Sequence, residues 1–225
     1  MNIFRNIKIK GLIINYCRII ANSISYYILK NILLINFGKF EKDFLYNKCY
    51  QYLYLYLYLK FYKKKKILEI GTGYSTLIIN KYISSMKMQI SKDNEFLHHI
   101  IEPDVKYFNK FVNKLSNKNN LILKLVKYKY IKNNTIKMLN FDHSQKYDFI
   151  YIDGPSPEYN HIPKLKNKNN YFLSEIFKLT KNNNLDLFFD GRYQQQEIFN
   201  NSSNNKKNYY YIKSYLGSFG LFKIK

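Results

Sequence analysis

From residue 66 onward the chain alternates short apolar runs with longer segments of helical length. The apolar runs, which we predict to be strands, are 67–70, 97–102, 121–131, 147–153 and 185–190. The segments that we predict to be helices are 75–86, 104–116, 134–141 and 170–181. Alternation of this kind predicts an α/β fold in which helices cover both faces of a mostly parallel sheet.

The C-terminal tail departs from this alternation. Residues 209–225 hold two apolar runs joined around Gly217 and Gly220, with no room between them for a crossover helix. Adjacent strands with a short link are antiparallel. The sequence therefore predicts an antiparallel strand at the C-terminus.

The first 60 residues predict a helical extension in front of an α/β domain over 61–225. Residues 12–37 place apolar side chains on more than one face of a helix and are followed by a glycine stop signal. The stretch "YLYLYLYL" at 52–59 alternates like a strand, but both residue types are largely apolar, so we predict a helix over 41–59. The apolar content predicts that these helices pack on the α/β domain and shape the entrance to its site.

Charge and cysteine content bear on partners and setting. The formal net charge is +22, and residues 1–66 hold 13 Lys or Arg against 2 acids. This basic segment could bind RNA, anionic lipid or a protein partner, but a solvated helical face is the simpler explanation. A/T-rich codons also favour Lys, so the charge can reflect codon bias. The case for a nucleic-acid partner therefore depends on charge alone. The two cysteines form no disulfide framework, which fits a reducing, cytoplasmic setting. Arg18 and Lys30 interrupt the most apolar stretch, so we predict no transmembrane segment.

One glycine-rich turn marks the candidate site. In "ILEIGTGYS" a predicted strand leads into two of the chain's 8 glycines. Gly71 permits a tight turn, and Gly73 lets the backbone approach a ligand without an intervening Cβ. Ser75 or Thr76 is predicted to cap the helix that follows. Glu102 ends the next strand, where a carboxylate can accept hydrogen bonds from both hydroxyls of a ribose.

These motifs resemble those of class I S-adenosylmethionine-dependent methyltransferases. "ILEIGTGYS" is similar to their first motif, "HIIEPD" to their second-strand acid, and "KYDFIYIDGPSPEY" to their fourth-strand motif, an apolar run that ends in Asp. The resemblance covers about residues 60–225 and implies a Rossmann-like, seven-stranded sheet whose last strand is reversed. It implies S-adenosylmethionine as the cofactor, with these residues around it: Glu69, Gly71, Thr72, Gly73, Ser75, Glu102 and Asp153.

The resemblance also implies roles, and the sequence departs from the family in some places. Glu69 and the glycine turn would surround the methionine part of the cofactor, Glu102 would hold the ribose, and Asp153 would face the methyl group and the acceptor. The 31 residues from Gly71 to Glu102 exceed the usual spacing of about 20, which implies an insertion around 84–95.

The predicted reaction is methyl transfer to an O or N atom of a small-molecule acceptor. Asp153 and His161 are the candidate catalytic residues, with Tyr159 as another candidate base. Asp190 and Arg192 are assigned to acceptor binding: Arg192 either grips an anionic group of the acceptor or pairs with a neighbouring acid.

Asp153 and Asp190 resemble two ligands of the divalent cation found in some O-methyltransferases of this fold, but Gly191 replaces the amide ligand and Arg192 adds a positive charge. We therefore predict no metal, and the four histidines show no ligand spacing. Two alternatives remain open: a non-catalytic methyltransferase-like binding module, and an RNA methyltransferase that uses the basic N-terminal segment. A nicotinamide-dependent oxidoreductase is disfavoured because Thr76 replaces the final glycine of G-x-G-x-x-G.

Overall fold

The computed structural model describes residues 2–37, 42–87, 96–102, 104–115, 121–125, 128–131, 135–138, 141–154, 176, 178–179, 184–201, 209–214 and 219–224. The helices are α1 (Asn2–Tyr27), which continues into a π-helical turn (Ile28–Ile32), α2 (Lys42–Phe61), α3 (Tyr74–Lys87), α4 (Val105–Val112) and α5 (Tyr193–Asn201). The strands are β1 (Lys66–Ile70), β2 (Leu97–Glu102), β3 (Leu121–Leu125), β4 (Tyr128–Ile131), β5 (Thr135–Met138), β6 (Phe149–Ile152), β7 (Asp186–Asp190), β8 (Tyr209–Lys213) and β9 (Phe219–Ile224).

Seven of these strands form one mixed sheet, and the predicted α/β class is confirmed. The strand order is β3-β2-β1-β6-β7-β9-β8. Strands β3, β2, β1, β6 and β7 are parallel to one another, whereas β9 pairs antiparallel with both β7 and β8. The carboxyl ends of the five parallel strands therefore meet at one edge of the sheet.

The segment after β3 differs from the prediction. The apolar run 121–131 forms two separate strands, and the helix predicted over 134–141 is wrong, because Thr135–Met138 forms β5. Strand β5 pairs antiparallel with β4 in a hairpin outside the main sheet. A short helix that contains β-branched Thr and Ile is unstable by itself, whereas pairing with β4 supplies the backbone hydrogen bonds of this segment. Of the helix predicted over 170–181, residues 176, 178 and 179 are helical and the rest lies outside the described residues.

The core lies on both faces of the sheet because successive side chains of a strand point to opposite sides. In β6, Phe149 and Tyr151 join a cluster that includes α2 and α3, whereas Ile150 and Ile152 join a cluster on the other face. All four side chains are buried. Strands buried on both faces account for the unbroken apolar runs of the sequence.

The helix predicted over 12–37 is present as α1 and the π-helical turn, but it ends at Ile32 and residues 33–37 are not helical. The helix predicted over 41–59 is present as α2. Tyr52, Leu55, Tyr56 and Leu59 of α2 are buried in the same cluster as strand residues of the main sheet. Their spacing of three and four residues places them on one helical face, which packs on the core. The alternation of Tyr and Leu in the sequence therefore does not indicate a strand. Among the described residues, no helix has both the length and the apolar character needed to cross a bilayer.

A buried polar contact at the start of β7 generates a stability prediction. The Tyr58 hydroxyl of α2 donates a 2.6 Å hydrogen bond to Oδ2 of Asp186, and Nζ of Lys64 lies 2.7 Å from the same oxygen. Replacing Tyr58 by Phe should lower the free energy of unfolding by about 1.5–3 kcal/mol, because it removes a hydrogen bond to a charged, largely buried acceptor. Urea unfolding followed by circular dichroism measures the change.

Tyr56 provides the matched control on the same helix. Its hydroxyl makes only a 3.4 Å hydrogen bond, to Oγ of Ser85, so Tyr56→Phe should change the free energy of unfolding by less than about 1 kcal/mol. Equal losses for the two variants would mean that the Tyr58–Asp186 contact does not anchor α2.

Candidate functional site

The sequence-predicted site lies at the carboxyl edge of the parallel strands. Gly71 follows β1, Glu102 is the last residue of β2, Asp153 follows β6, and Asp190 is the last residue of β7. Because β2, β1, β6 and β7 are consecutive neighbours in the sheet, these residues lie side by side. The fold therefore gathers acids that are far apart in the sequence, as the prediction required.

Gly71 is where the chain leaves β1, and its neighbour is another glycine. Its φ is +92°, a backbone conformation that side-chain-bearing residues rarely adopt. A Cβ at this position would lie 2.4 Å from the backbone nitrogen of Gly154. The nitrogen of Gly154 in turn donates a 2.6 Å hydrogen bond to the carbonyl of Ile70. Gly71 is thus required by the close approach of two strand ends.

Gly73 has a different environment. A Cβ there would meet Oδ2 of Asp153 at 3.4 Å and Oγ of Ser75 at 3.6 Å, and no backbone atom is among its nearest neighbours. Helix α3 begins at Tyr74, directly after this glycine. The space above Gly73 would therefore hold a Cβ in van der Waals contact with the carboxylate of Asp153.

The residues expected to cap α3 instead bind an acid inside the fold, so that expectation is wrong. Ser75 and Thr76 lie within the first turn of α3, and their hydroxyls donate to Oε1 of Glu69 at 2.6 Å and 3.0 Å. Oγ1 of Thr76 also accepts a 3.1 Å hydrogen bond from the backbone nitrogen of Gly73, as a third-position residue does in a capping box.

Glu69 is fully buried and belongs to the framework beneath the turn. Its Oε2 lies 2.8 Å from Nε2 of His98 on the neighbouring strand β2, and both side chains have no exposed surface. With Oε1 occupied by Ser75 and Thr76, this carboxylate holds together β1, β2 and the start of α3. The structure places Glu69 and Ser75 in contact with each other beneath the glycine turn.

Glu102 bonds to the middle residue of the turn. Its Oε2 accepts hydrogen bonds from the backbone nitrogen and the hydroxyl of Thr72 at 2.7 Å and 2.9 Å, and its Oε1 accepts one from the nitrogen of Asp104. The side chain is 1% exposed. Glu102 therefore fixes the height of the turn above the sheet.

Asp190 carries an ion pair with a residue that the sequence did not single out. Nζ of Lys48, on α2, lies 2.9 Å and 3.0 Å from the two oxygens of Asp190, and the hydroxyl of Tyr151 donates to Oδ2 at 2.8 Å. Burial lowers the pKa of Lys48, but the charges of Asp190 and Asp153 outweigh this and hold the pKa above its ordinary value. The ammonium group thus stays charged and neutralises Asp190.

Asp153 has an altered proton affinity. Burial, followed by the negative charge of Asp190, raises the pKa of Asp153 to about 7, although Lys48 and Arg192 act in the opposite direction. Among the described residues, no hydrogen bond reaches its carboxylate. Asp153 is therefore poised to gain or lose a proton near neutral pH and is directed toward the space above Gly73.

Arg192 follows β7 at the start of α5. Its backbone φ is +50°, and its guanidinium donates a hydrogen bond to the backbone oxygen of Asp153. The side chain thus reaches across the ends of β6 and β7 rather than pointing away from the site. The two remaining candidates for catalysis, His161 and Tyr159, lie outside the described residues.

Helix α2 contributes site residues that sequence reasoning missed. Lys48, Gln51 and Tyr52 follow the i, i+3, i+4 spacing of one helical face, and Nε2 of Gln51 donates to the hydroxyl of Tyr151. Burial, with the charges of Asp190 and Asp153, raises the pKa of Tyr52 well above its ordinary value, which keeps its hydroxyl neutral. The sequence signal that could have identified this face is Lys48, a charged residue at the start of the apolar stripe of α2.

The described residues contain no group of three or more His, Cys, Asp or Glu side chains that could hold a metal ion. No protein-family model matches the chain, and no curated protein is significantly similar to it. The assignment of the site therefore depends on its own geometry and on the motifs of the sequence.

The two glycines of the turn generate stability predictions of different size. Gly71→Ala should destabilise the fold by at least about 2 kcal/mol, because it combines a positive φ with a backbone overlap that cannot relax locally. Gly73→Ala is the matched control and should change the free energy of unfolding by less than about 1 kcal/mol, since its Cβ would be in ordinary contact with the Asp153 side chain. Chemical unfolding of both variants makes the comparison, and equal losses would contradict it.

Proposed function

We propose that the protein is an S-adenosylmethionine-dependent methyltransferase that acts on an O or N atom of a small-molecule acceptor. One observation carries the proposal: Gly73, Glu102 and Asp153 meet at the carboxyl ends of three adjacent parallel strands, and the Asp153 carboxylate lies beside Gly73, which has no side chain. The class I methyltransferases that the motifs resemble place their cofactor at this edge of the sheet.

The sheet supports the same proposal. The resemblance implies a Rossmann-like, seven-stranded sheet with a reversed last strand, and here β9 is inserted antiparallel between β7 and β8. The motif-bearing strands β1, β2 and β6 are neighbours in the order that such a site requires. This arrangement follows from backbone pairing alone and does not depend on any side chain.

The residues present fit the cofactor. Gly73 presents no side chain next to the Asp153 carboxylate, which would let the methionine part approach the backbone there, and this carboxylate would attract the positive sulfonium. Glu102 suits the ribose, but it is buried beneath Thr72. Ribose hydroxyls would therefore reach it by replacing the Thr72 hydroxyl as hydrogen-bond donors.

The chain's own residues would orient the reactants and move one proton. When bound, the cofactor supplies an electrophilic methyl group, so alignment of the acceptor provides much of the rate. Ionised Asp153 would accept the proton of an acceptor hydroxyl or amine, and a pKa of about 7 suits a general base near neutral pH. Arg192, held at the ends of β6 and β7, would attract an anionic group of the acceptor.

Calorimetric titration with S-adenosylhomocysteine and with NAD tests the proposal directly. We expect S-adenosylhomocysteine to bind and NAD not to bind; the reverse result, or no binding of either, would reject it. Binding without turnover on any acceptor would favour the methyltransferase-like binding module. An RNA acceptor would favour the RNA methyltransferase, in which the basic N-terminal segment would contact the nucleic acid.

The proton affinity of Asp153 generates a prediction that needs no acceptor. S-adenosylmethionine carries a positive sulfonium, whereas S-adenosylhomocysteine carries a neutral thioether at the same place. As the pH rises through about 7, Asp153 ionises, so the preference for the cationic ligand should increase severalfold. The ratio of the two dissociation constants, measured by calorimetry from about pH 6 to about pH 8, tests this.

Asp153→Asn is the decisive variant for this experiment. It should bind S-adenosylhomocysteine as the unmodified protein does, and its preference between the ligands should change less with pH. The positive sulfonium lowers the pKa of the ligand's own amino group, so the pH dependence due to Asp153 is the difference between the unmodified protein and Asp153→Asn. An equal pH dependence in the two proteins would assign the titration to another group and would remove Asp153 from the proposed site.

We predict that ligand binding and turnover require no divalent metal. Nζ of Lys48 already contacts both oxygens of Asp190, in the position where a cation would neutralise the acids. Chelation should therefore leave the affinity for S-adenosylhomocysteine, and any turnover, unchanged. Loss of either on chelation, restored by Mg²⁺ or Mn²⁺, would contradict the prediction.

The variant Lys48→Met sharpens this test. It removes the ammonium group and leaves Asp190 without its ion pair and Asp153 with Arg192 as the remaining compensating charge, so added Mg²⁺ should now raise the melting temperature of the variant. The unmodified protein should show no such rise. If Mg²⁺ stabilises both proteins equally, Lys48 does not take the place of a cation.

A further inference from the structure

Helix α1 exposes an apolar stripe to solvent. Ile13, Tyr16, Ile20, Ile24 and Tyr27 are spaced by three or four residues and therefore lie on one face of the helix. Their exposed fractions run from 43% for Ile20 to 68% for Tyr16. Such a regular stripe normally marks the side of a helix that another surface covers.

On the side of α1 that packs on the protein, the buried residues are polar. Asn22 and Ser25 are 1% and 2% exposed, and they lie on the same helical face as Arg18. Asn22 accepts a 2.9 Å hydrogen bond from the backbone nitrogen of Tyr50 on α2 and donates one to the carbonyl of Arg18. The half-buried Tyr26 also packs against the core, but seven large apolar side chains of α1 remain exposed. An ordinary surface helix instead buries its apolar side.

The charge around the stripe identifies what covers it. Residues 1–40 contain 6 Lys or Arg and no acid, and the whole chain carries a net charge of +22. A second copy of the chain would bring an equally positive segment against the first, whereas anionic lipid headgroups would attract it. Nucleic acid would also attract the charge, but it offers no apolar layer for three isoleucines.

We propose that α1 lies in the plane of an anionic membrane surface, with this stripe in the boundary between headgroups and acyl chains. An interfacial helix needs an apolar face on the lipid side and basic residues nearby, and α1 has both. Tyr16 and Tyr27 suit this depth because a tyrosine ring is apolar while its hydroxyl stays hydrated. The exposed side chains of Ile32 and Leu34 extend the apolar surface beyond the helix.

Vesicle binding by the full chain tests the proposal. The protein should co-sediment with vesicles of phosphatidylcholine and phosphatidylserine and bind those of phosphatidylcholine alone at least about tenfold more weakly. The variant Ile20→Ser with Ile24→Ser keeps the charge and removes apolar area, so its binding to the mixed vesicles should fall at least about tenfold. The matched control Asn15→Ser, at an exposed polar position of α1, should bind like the unmodified protein.

Light scattering without lipid completes the test. We expect the unmodified protein and the double variant both to have the mass of a monomer. A lipid-free dimer that the double variant dissociates would assign the stripe to a second copy and overturn the proposal. The proposal would also be overturned if the protein bound neither kind of vesicle or bound both equally. It would be overturned as well if the double variant bound the mixed vesicles like the unmodified protein. So would binding to RNA that the double variant abolishes.

Discussion

Four carboxylates lie at one edge of the sheet, and the other residues of the site compensate for their burial and mutual repulsion. Parallel pairing brings Glu69, Glu102, Asp153 and Asp190 together near the ends of four adjacent strands. Three of them have dedicated partners, namely His98 and two hydroxyls for Glu69, the Thr72 backbone for Glu102, and Lys48 for Asp190. Asp153 lacks such a partner among the described residues, and burial together with the charge of Asp190 raises its pKa. The acid whose proton affinity changes is thus the one that the partners of the other three leave uncompensated.

The same constraint explains why α2 belongs to the site rather than to a separate appendage. Lys48 binds Asp190 at the end of β7, and Tyr58 binds Asp186 at its beginning. Ten residues of helix span about 15 Å, and the four residue steps of the strand span about 13 Å. The two contacts therefore match in length and fix α2 antiparallel to β7. A helix held at both ends of a central strand can place an ammonium group accurately between two acids.

The sequence predicted the strands and the acids at their ends because both follow from local pattern: an apolar run, then a glycine or an acid. It could not predict partners that depend on tertiary packing. Lys48 is one of 37 Lys and Arg residues and has no distinctive neighbours. Ser75 and Thr76 have the composition of helix caps, but the buried carboxylate of Glu69 competes for their hydroxyls. The strand β5 is stabilised by pairing with β4. The hydrophobic pattern of its four residues is too short to reveal such a pairing.

Helix α2 also connects the apolar stripe of α1 to the site through a short series of direct contacts. Its Tyr50 donates a backbone hydrogen bond to Asn22 of α1, and Lys48, two residues earlier, binds Asp190 beside Asp153. Contact alone does not couple two sites, because coupling requires an element with two arrangements that both sites bias. The position of α1 on α2 is the candidate for such an element, since polar contacts hold it and an external surface would compete for its apolar side. Lys48 would then be a group that transmits the change, because its charge lowers the pKa of Asp153, which burial and the charge of Asp190 raise.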